Sequence, residues 1–240
     1  MWNLPNAKQC LNAYGGHPKR ILIIGCGDKG EDAKAFNELL NGEVEITGVD
    51  IIDDIGVDYQ AENVLYIQDD AMALSIRSSN FDLAYSFATF EHINNLQAAW
   101  QNMLNALRPG GMLWCVASPL WMSPYGPHKQ DIFEAYPYIH LRYPDPEALK
   151  QYCQSIGLAA HDGIDIVHHI DYMMNGDMFN KHGPSAYEDA VSKLTNCKII
   201  KNAFDELPRE TIVGSEDLLQ KGFSEKDLLS LTHRLHAIKE

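Results

Sequence analysis

The sequence has few of the features that mark membrane, secreted or nucleic-acid-binding proteins. It carries 19 basic against 33 acidic residues, a formal net charge of −14 over 240 residues, so it would repel a phosphate backbone. No apolar run is long enough to span a bilayer, and residues 1–14 lack the basic start and apolar core of a signal peptide. We therefore expect neither a nucleic-acid partner nor a membrane partner.

Cysteine is scarce and scattered. The five cysteines are Cys10, Cys26, Cys115, Cys153 and Cys197, and no two stand in a Cys-x-x-Cys pair. This spacing argues against a disulfide framework and against a structural zinc site, so no metal is predicted. Such cysteine use is typical of a reducing cytoplasm, which is the expected location. The apolar content of 45% and the charged content of 22% are ordinary for a globular protein.

A glycine loop follows the first strongly apolar segment. Residues 21–24 form a β-branched, apolar run, which is typical of a strand buried on both faces. Gly25, Gly27 and Gly30 follow as Gly-x-Gly-x-x-Gly, and a helix is predicted over residues 31–40. Glycine lets the backbone approach a ligand closely, and a helix N-terminus favours polar or anionic groups. The segment predicts a ligand loop, although an ordinary strand-to-helix turn gives the same pattern.

An acidic residue closes the next predicted strand. Asp50 lies 20 residues after Gly30, the spacing of an acid that accepts hydrogen bonds from ribose hydroxyls. From these residues two classes of protein compete: nicotinamide-dependent dehydrogenases and methyltransferases that use S-adenosylmethionine.

Four further motifs bear on this choice. Asp70-Ala71 precedes a Phe81-Asp82 strand, Glu91-His92 follows it, and Leu107-Arg-Pro-Gly-Gly111 leads into another strand. In this order they resemble class I S-adenosylmethionine-dependent methyltransferases, over roughly Arg20 to Pro119. The resemblance implies an α/β fold, Rossmann-like and doubly wound, with a mostly parallel seven-stranded sheet, helices on both faces and a substrate-binding insertion after strand five.

The same resemblance implies a domain plan and a set of cofactor contacts. A single domain over 1–240 would comprise a cofactor-binding core (1–119), an acceptor-binding insertion and cap (120–190) and a C-terminal completion (191–240). The contacts follow the chain from the methionine end through the ribose and adenine to the sulfonium: Gly25, Cys26 and Gly27; Asp50 and Ile51; Asp69, Asp70 and Ala71; Ser86 and Phe87.

The chain departs from the family pattern at two positions. Ile23 stands where the family usually has an acid, and Lys29 stands at the usual third glycine. Two alternatives therefore stay open: an NAD(P)-dependent oxidoreductase, and a non-catalytic protein that binds S-adenosylmethionine and acts as a partner.

The chain changes character after Pro119. Residues 120–146 are rich in proline, tyrosine, tryptophan and histidine, too polar and proline-broken for a central strand. Because long loops of such composition are usually functional, we predict that this region binds the acceptor. A hydroxyl acceptor must lose its proton, and histidine suits that task near neutral pH. His128 is the first candidate base and His140 the second.

This region also resembles the one after strand five in bacterial methyltransferases that occur with surface-polysaccharide synthesis genes. The shared elements are Ser118-Pro119, a Tyr125–His128 element and a Pro137–Leu141 element. The resemblance suggests a sugar-containing or other small-molecule acceptor and O-methylation. The aromatic side chains could instead form the interface of a homodimer.

Four further elements are predicted in the second half of the chain. The patterns indicate a strand over 159–168, a polar loop over 171–184, and helices over 185–194 and 224–238.

Overall fold

The computed structural model describes residues 3–76, 80–128, 135–158, 160–161, 164–176 and 178–240. The chain divides into two compact units. The first comprises residues 1–117, 188–203 and 234–240, and the second comprises residues 118–187 and 204–233. Residues 129–134 of the predicted acceptor region lie outside the described residues.

A seven-stranded sheet organises the fold, and this confirms the predicted fold class. Its strands are β1 (Arg20–Ile24), β2 (Glu45–Asp50), β3 (Val64–Gln68), β4 (Phe81–Phe87), β5 (Leu107–Ala117), β8 (Cys197–Glu206) and β9 (Ser230–Lys239). Their order is β3-β2-β1-β4-β5-β9-β8, and β1 to β5 run parallel. The last two run antiparallel to each other, since Glu240 N donates to Asn196 O at one end and Leu207 N to Leu229 O at the other.

Helices pack on the sheet of the first unit. They include α1 (Asn3–Tyr14), α2 (Glu31–Leu39) and α3 (Leu96–Ala106). The Asn95 side chain caps α3 by accepting from Ala98 N at 3.1 Å. The core beneath α1 and α2 includes Tyr85, whose ring stacks on Trp114 at 5.0 Å between centroids. The helix predicted over residues 31–40 is thus confirmed as α2.

A buried carboxyl group joins α2 to β4. Asp32 is 3% exposed and accepts a hydrogen bond from the Tyr85 hydroxyl at 3.0 Å. Burial raises the pKa of Asp32 to about 6, and hydrogen bonds from Tyr85 and Asn3 offset only part of that rise. The folded protein therefore holds this proton more tightly than the unfolded chain does. The resulting stabilisation is complete below the ordinary carboxyl pKa and is lost as the pH rises through about 6.

Asp32→Asn should therefore raise the free energy of unfolding near pH 7.5 by up to about 3 kcal/mol, because each pKa unit is worth about 1.4 kcal/mol. Urea unfolding at a series of pH values measures this. Asp82→Asn is the control of opposite sign. Burial would raise the pKa of Asp82, but hydrogen bonds from Arg108, Arg20 and Lys19 outweigh it and hold the pKa low. The prediction would be contradicted if the free energy of unfolding of Asp32→Asn depended on pH as steeply as that of the wild type.

The second unit is built from short elements around its own apolar core. They are α4 (Ile139–Arg142), α5 (Pro146–Ser155), the strand pair β6 (Ala160–His161) and β7 (Ile164–Asp165), α6 (Ile166–Asn175), α8 (Glu216–Gln220) and α9 (Glu225–Leu229), while α7 (Pro184–Ser192) crosses from this unit into the first. The guanidinium of Arg142 joins α4 to α8, donating to both carboxylate oxygens of Asp217 at 3.1 and 3.2 Å and to Gly214 O at 3.0 Å.

The predicted strand over 159–168 is confirmed only in part, since residues 160–161 and 164–165 form a short antiparallel pair and residues 166–168 are helical. The predicted loop over 171–184 is wrong over residues 171–175. Helix α6 occupies residues 166–175. Its first turn is capped by Asp165, whose carboxylate accepts from Val167 N at 2.9 Å. Ile166, Ile170 and Met173 are buried at helical spacing. Ile166, which lies within the predicted strand, is therefore part of the buried face of a capped helix.

The predicted helix over 224–238 is also wrong beyond residue 229. Ser224 and Asp227 form a capping box that starts α9, but the chain then enters β9. His233, Leu235 and Ala237 are buried at alternate positions, as a strand inside a sheet requires. Local helix propensity yields here to the sheet position between β5 and β8.

Two further observations complete the fold. Residues Ala71–Ala73 form a 3-10 turn directly after Asp70. Within the described part of the chain, every helix is too short or too polar to cross a lipid bilayer.

Candidate active site

The carboxyl ends of four parallel strands meet at one edge of the first unit's sheet. The glycine loop follows β1, Asp50 ends β2, Asp69 and Asp70 follow β3, and Phe87 ends β4. Parallel strands β3, β2, β1 and β4 are neighbours in that order. Residues far apart in the chain are therefore brought to a common edge, where ligands of open α/β sheets bind.

The glycines of the loop serve different purposes. Gly25 has φ +77°, and a Cβ there would lie 2.0 Å from Thr89 Oγ1, so the close packing of the loop on the segment after β4 excludes any side chain. Gly27 has φ +64°, and a Cβ there would meet no atom within 4 Å among the described residues. Gly27 therefore presents its backbone to open space, as a loop that lies against a ligand must.

Asp50 holds the loop in place. Its half-buried carboxylate accepts from Gly27 N at 2.9 Å through Oδ2 and from Ile51 N at 2.8 Å through Oδ1. A carboxylate has about four acceptor positions, so each oxygen keeps room for a further donor such as a ribose hydroxyl. The neighbouring Ile51 side chain is 68% exposed and presents an apolar surface beside this acid.

The two acids after β3 differ in what they bind. Asp69 Oδ2 accepts from both the amide and the hydroxyl of Ser75, at 2.7 and 2.6 Å, so it closes the turn. Asp70 Oδ1 accepts from Met72 N at 2.8 Å. Its Oδ2 and the Ala71 N–H make no hydrogen bond within the described residues. One acceptor beside one donor is the pattern that matches the amino group and a ring nitrogen of adenine.

Two predicted contact residues turn their side chains into the protein. Cys26 is 5% exposed, and burial raises the pKa of its thiol to about 12, so it carries no thiolate near neutral pH. Ser86 is fully buried, and its hydroxyl donates to Ile24 O at 2.9 Å, which joins β4 to β1. Any contact from these two residues would have to come from the backbone. Phe87 remains half-buried at the strand end.

The second unit holds the two candidate bases. The half-buried ring of His128 lies 4.6 Å from that of Phe179, and its Nδ1 is 2.8 Å from Gly126 O. A carbonyl oxygen only accepts, so Nδ1 carries the proton of the neutral ring and Nε2 carries the lone pair. His128 also has φ +62°, a left-handed backbone that is uncommon outside glycine.

His140 differs from His128 in exposure and protonation. It is 1% exposed, its Nε2 donates to Trp121 O at 2.6 Å, and burial lowers its pKa to about 4. Its ring lies edge-on to Trp121 at 4.8 Å. Such a ring is closed to an acceptor, so the geometry favours His140 as a support for Trp121 over its predicted role as a base.

Three side chains that contact the glycine loop or the segment after β2 were not predicted from the sequence. Thr89 packs against Gly25, Gln68 Nε2 donates to Ile51 O at 3.0 Å, and the Tyr66 ring lies against Gly30, Gly48 and Gly56. Glycines at positions 48 and 56 were the available signal, because glycine inside a strand or loop often marks the close approach of another group.

Residues 22–115 match the family model of a methyltransferase domain. No curated protein matches the sequence. Solved structures match over nearly the whole chain. A Mesorhizobium loti S-adenosylmethionine-dependent methyltransferase is 16% identical, with a TM-score of 0.57, over 98% of this chain and 96% of its own.

Two enzymes with named substrates share the fold. Phosphoethanolamine N-methyltransferase 2 from Haemonchus contortus is 14% identical, with a TM-score of 0.56. The match covers 98% of this chain and 52% of that one, so this chain spans about half its length. Geranyl diphosphate C-methyltransferase from Streptomyces coelicolor is 13% identical, with a TM-score of 0.53, over 98% and 79%. At these identities the likeness establishes the fold. The family match adds that residues 22–115 form a methyltransferase domain.

Proposed function

We propose that this protein methylates an oxygen of a small-molecule acceptor, namely a sugar or a sugar-containing molecule. The observation that carries the cofactor half of the proposal is the unused pair of Asp70 Oδ2 and Ala71 N–H, with the Asp50 carboxylate on the neighbouring strand. The observation that carries the acceptor half is the tautomer of His128.

The residues at the strand ends fit S-adenosylmethionine part by part. Asp50 accepts from the ribose hydroxyls, Asp70 and Ala71 bind the adenine edge, and Ile51 covers the adenine with apolar surface. The backbone at Gly27 lies against the methionine part. When bound, the cofactor supplies a methyl group already activated on a sulfonium, so these residues mainly provide alignment, which is worth roughly 7–11 kcal/mol of barrier in well-oriented systems.

The acidic residues at the N-terminus of α2 argue against the oxidoreductase alternative. A dinucleotide places its diphosphate at the N-terminus of the helix after the glycine loop. Here Asp28 precedes that helix, and Glu31 and Asp32 occupy its first turn. Ionised carboxylates repel a diphosphate, whereas S-adenosylmethionine has no phosphate and carries a positive sulfonium.

The acceptor side rests on the second unit. It begins directly after β5, and it contains His128 together with Trp121 and Phe179, whose rings are 5.4 Å apart. Aromatic faces stack on sugar rings, and the Nε2 lone pair of His128 can take the hydroxyl proton. The named substrates of the structural neighbours, phosphomonomethylethanolamine and geranyl diphosphate, are small molecules and support that size class.

The location and assembly of the enzyme also belong to this proposal. Free cysteines, four of them buried, support a reducing cytoplasm. The aromatic residues after Pro119 would form a homodimer interface if they did not bind the acceptor.

Isothermal titration with S-adenosylhomocysteine and with NADH tests the cofactor assignment. We expect micromolar binding of the first and no heat from the second. Release of S-adenosylhomocysteine in the presence of a panel of glycosides, nucleotide sugars and phenols then tests the acceptor class. Binding of NADH alone would overturn the proposal, and tight cofactor binding without turnover on any acceptor would favour the non-catalytic alternative.

A further inference from the structure

One aromatic ring occupies the space left by three glycines from three separate elements. Built Cβ atoms at Gly30, Gly48 and Gly56 would lie 2.4, 2.8 and 2.2 Å from atoms of Tyr66. Gly30 is the N-cap of α2, Gly48 lies inside β2, and Gly56 belongs to the β2–β3 connection. Real Cβ atoms do not approach this closely, so the ring and the glycines fit only together.

The ring crosses from the third strand to the glycine loop. Tyr66 is paired with Gly48 in the parallel register of β3 and β2. The Tyr66 ring packs against the backbone of Gly48, in the space that a side chain there would occupy. Cys26 Sγ lies in the same space, 2.9 Å from a Cβ built at Gly48. The Tyr66 side chain therefore lies beside the buried side chain of the loop's own Cys26.

The far end of the ring is anchored by a hydrogen bond. The Tyr66 hydroxyl donates to Tyr59 O at 2.8 Å. The Tyr59 hydroxyl in turn accepts from Asn37 Nδ2 of α2 at 2.7 Å. The β2–β3 connection also contacts the glycine loop directly, since Gly56 N donates to Gly27 O at 2.9 Å. Loop, α2 and the β2–β3 connection thus share one support.

From this geometry we propose that Tyr66 is a positioning residue that sets the glycine loop for the methionine half of the cofactor. The inference rests on the proposed function, because the loop is read as the methionine-binding element. Tyr66 would act through Cys26, Gly27 and Gly30 and would touch no reacting atom. Its effect should therefore be largest for ligands that carry the amino-acid part.

Two ligands separate this role from general stability. S-adenosylhomocysteine carries the amino-acid part, and 5′-methylthioadenosine lacks it. Tyr66→Leu should weaken binding of the first by about ten-fold or more, since small misplacements of a binding element are costly, and leave the second within about two-fold. Tyr66→Phe keeps the ring among the glycines but loses the hydrogen bond to Tyr59 O, so it should lose less affinity for S-adenosylhomocysteine than Tyr66→Leu does. Hydrogen exchange at the amides of residues 25–30 should rise in Tyr66→Leu.

Leu40→Ala is the matched control. Leu40 is 4% exposed and follows the carboxyl end of α2, away from the loop, so its truncation destabilises the same unit. Both ligands should bind this variant as they bind the wild type. Equal losses of both ligands in Tyr66→Leu, or no loss of either, would overturn the proposal.

A second variant tests the contact without removing the ring. Gly48→Ala would drive a Cβ against both Tyr66 and Cys26 in a backbone that accepts alanine. It should weaken S-adenosylhomocysteine binding in the wild type and weaken it much less in the Tyr66→Leu background. Additive effects would contradict direct coupling. Failure of the wild type to bind S-adenosylhomocysteine would sink the proposed function, whereas unchanged binding by both variants would sink only this inference.

Discussion

His128→Asn should lower turnover by about 10²–10⁴-fold, the range that a positioned general base contributes. Asparagine is the sharper substitution because it tolerates the left-handed backbone of this position better than alanine, so the variant loses the imidazole without added strain. His128→Ala should show the same loss together with some loss of stability. Affinity for S-adenosylhomocysteine should change little, because the cofactor residues lie on other elements.

Two measurements guard this prediction. Turnover by His128→Asn should stay low at saturating cofactor, which a loss of cofactor affinity alone would not cause. His140→Phe should lower the thermal midpoint by leaving the buried Trp121 carbonyl unsatisfied, at a cost of about 1–3 kcal/mol, while turnover per folded molecule persists. Near-normal turnover in His128→Asn would place the base elsewhere or remove the need for one.

Asp50→Ala should weaken S-adenosylhomocysteine binding by about 100-fold, since it removes charge-assisted hydrogen bonds worth about 1.5–3 kcal/mol each. The structure adds a second cause, because the same carboxylate holds the Gly27 amide. Titration calorimetry measures the affinity, and thermal unfolding checks the fold. Unchanged affinity would remove Asp50 from the site.

Asp50→Asn separates the two causes. Its amide oxygen can still accept from Gly27 N, so the loop stays tethered while the charge and one acceptor are lost. We expect an affinity between those of the wild type and Asp50→Ala, with loop amides as protected as in the wild type. Ser86→Ala is a useful comparison, since the Ser86 hydroxyl joins two strands and should affect stability more than cofactor affinity.

The predicted elements succeeded where local pattern and tertiary position agree. The apolar run of β1, the glycines after it and the helix predicted over residues 31–40 each correspond to local structure that the finished fold also requires. They failed over 166–168 and 230–238, where short stretches fit both a helix and a strand. The Asp165 cap favours the helix at the first of these segments, and pairing between β5 and β8 favours the strand at the second.

The candidate site divides in the same way. Asp50 was predicted from its spacing after the glycine loop, whereas Asp70 and Ala71 were predicted from the resemblance to the methyltransferase family. The directions of Ser86 and Cys26, and the burial of His140, depend on neighbours distant in sequence. No local pattern records which way those side chains turn.

The sequence by itself determined the order of strand, glycine loop and acidic strand-end residues, because glycine conformation and strand periodicity depend on only a few neighbouring residues. Asp50 was predicted from the sequence to accept hydrogen bonds from ribose hydroxyls. Only the tertiary structure shows that its carboxylate also accepts from Gly27 N and so holds the glycine loop. The tertiary structure alone also placed the Tyr66 ring among three glycines, since such a fit exists only after β2, β3 and α2 have packed together.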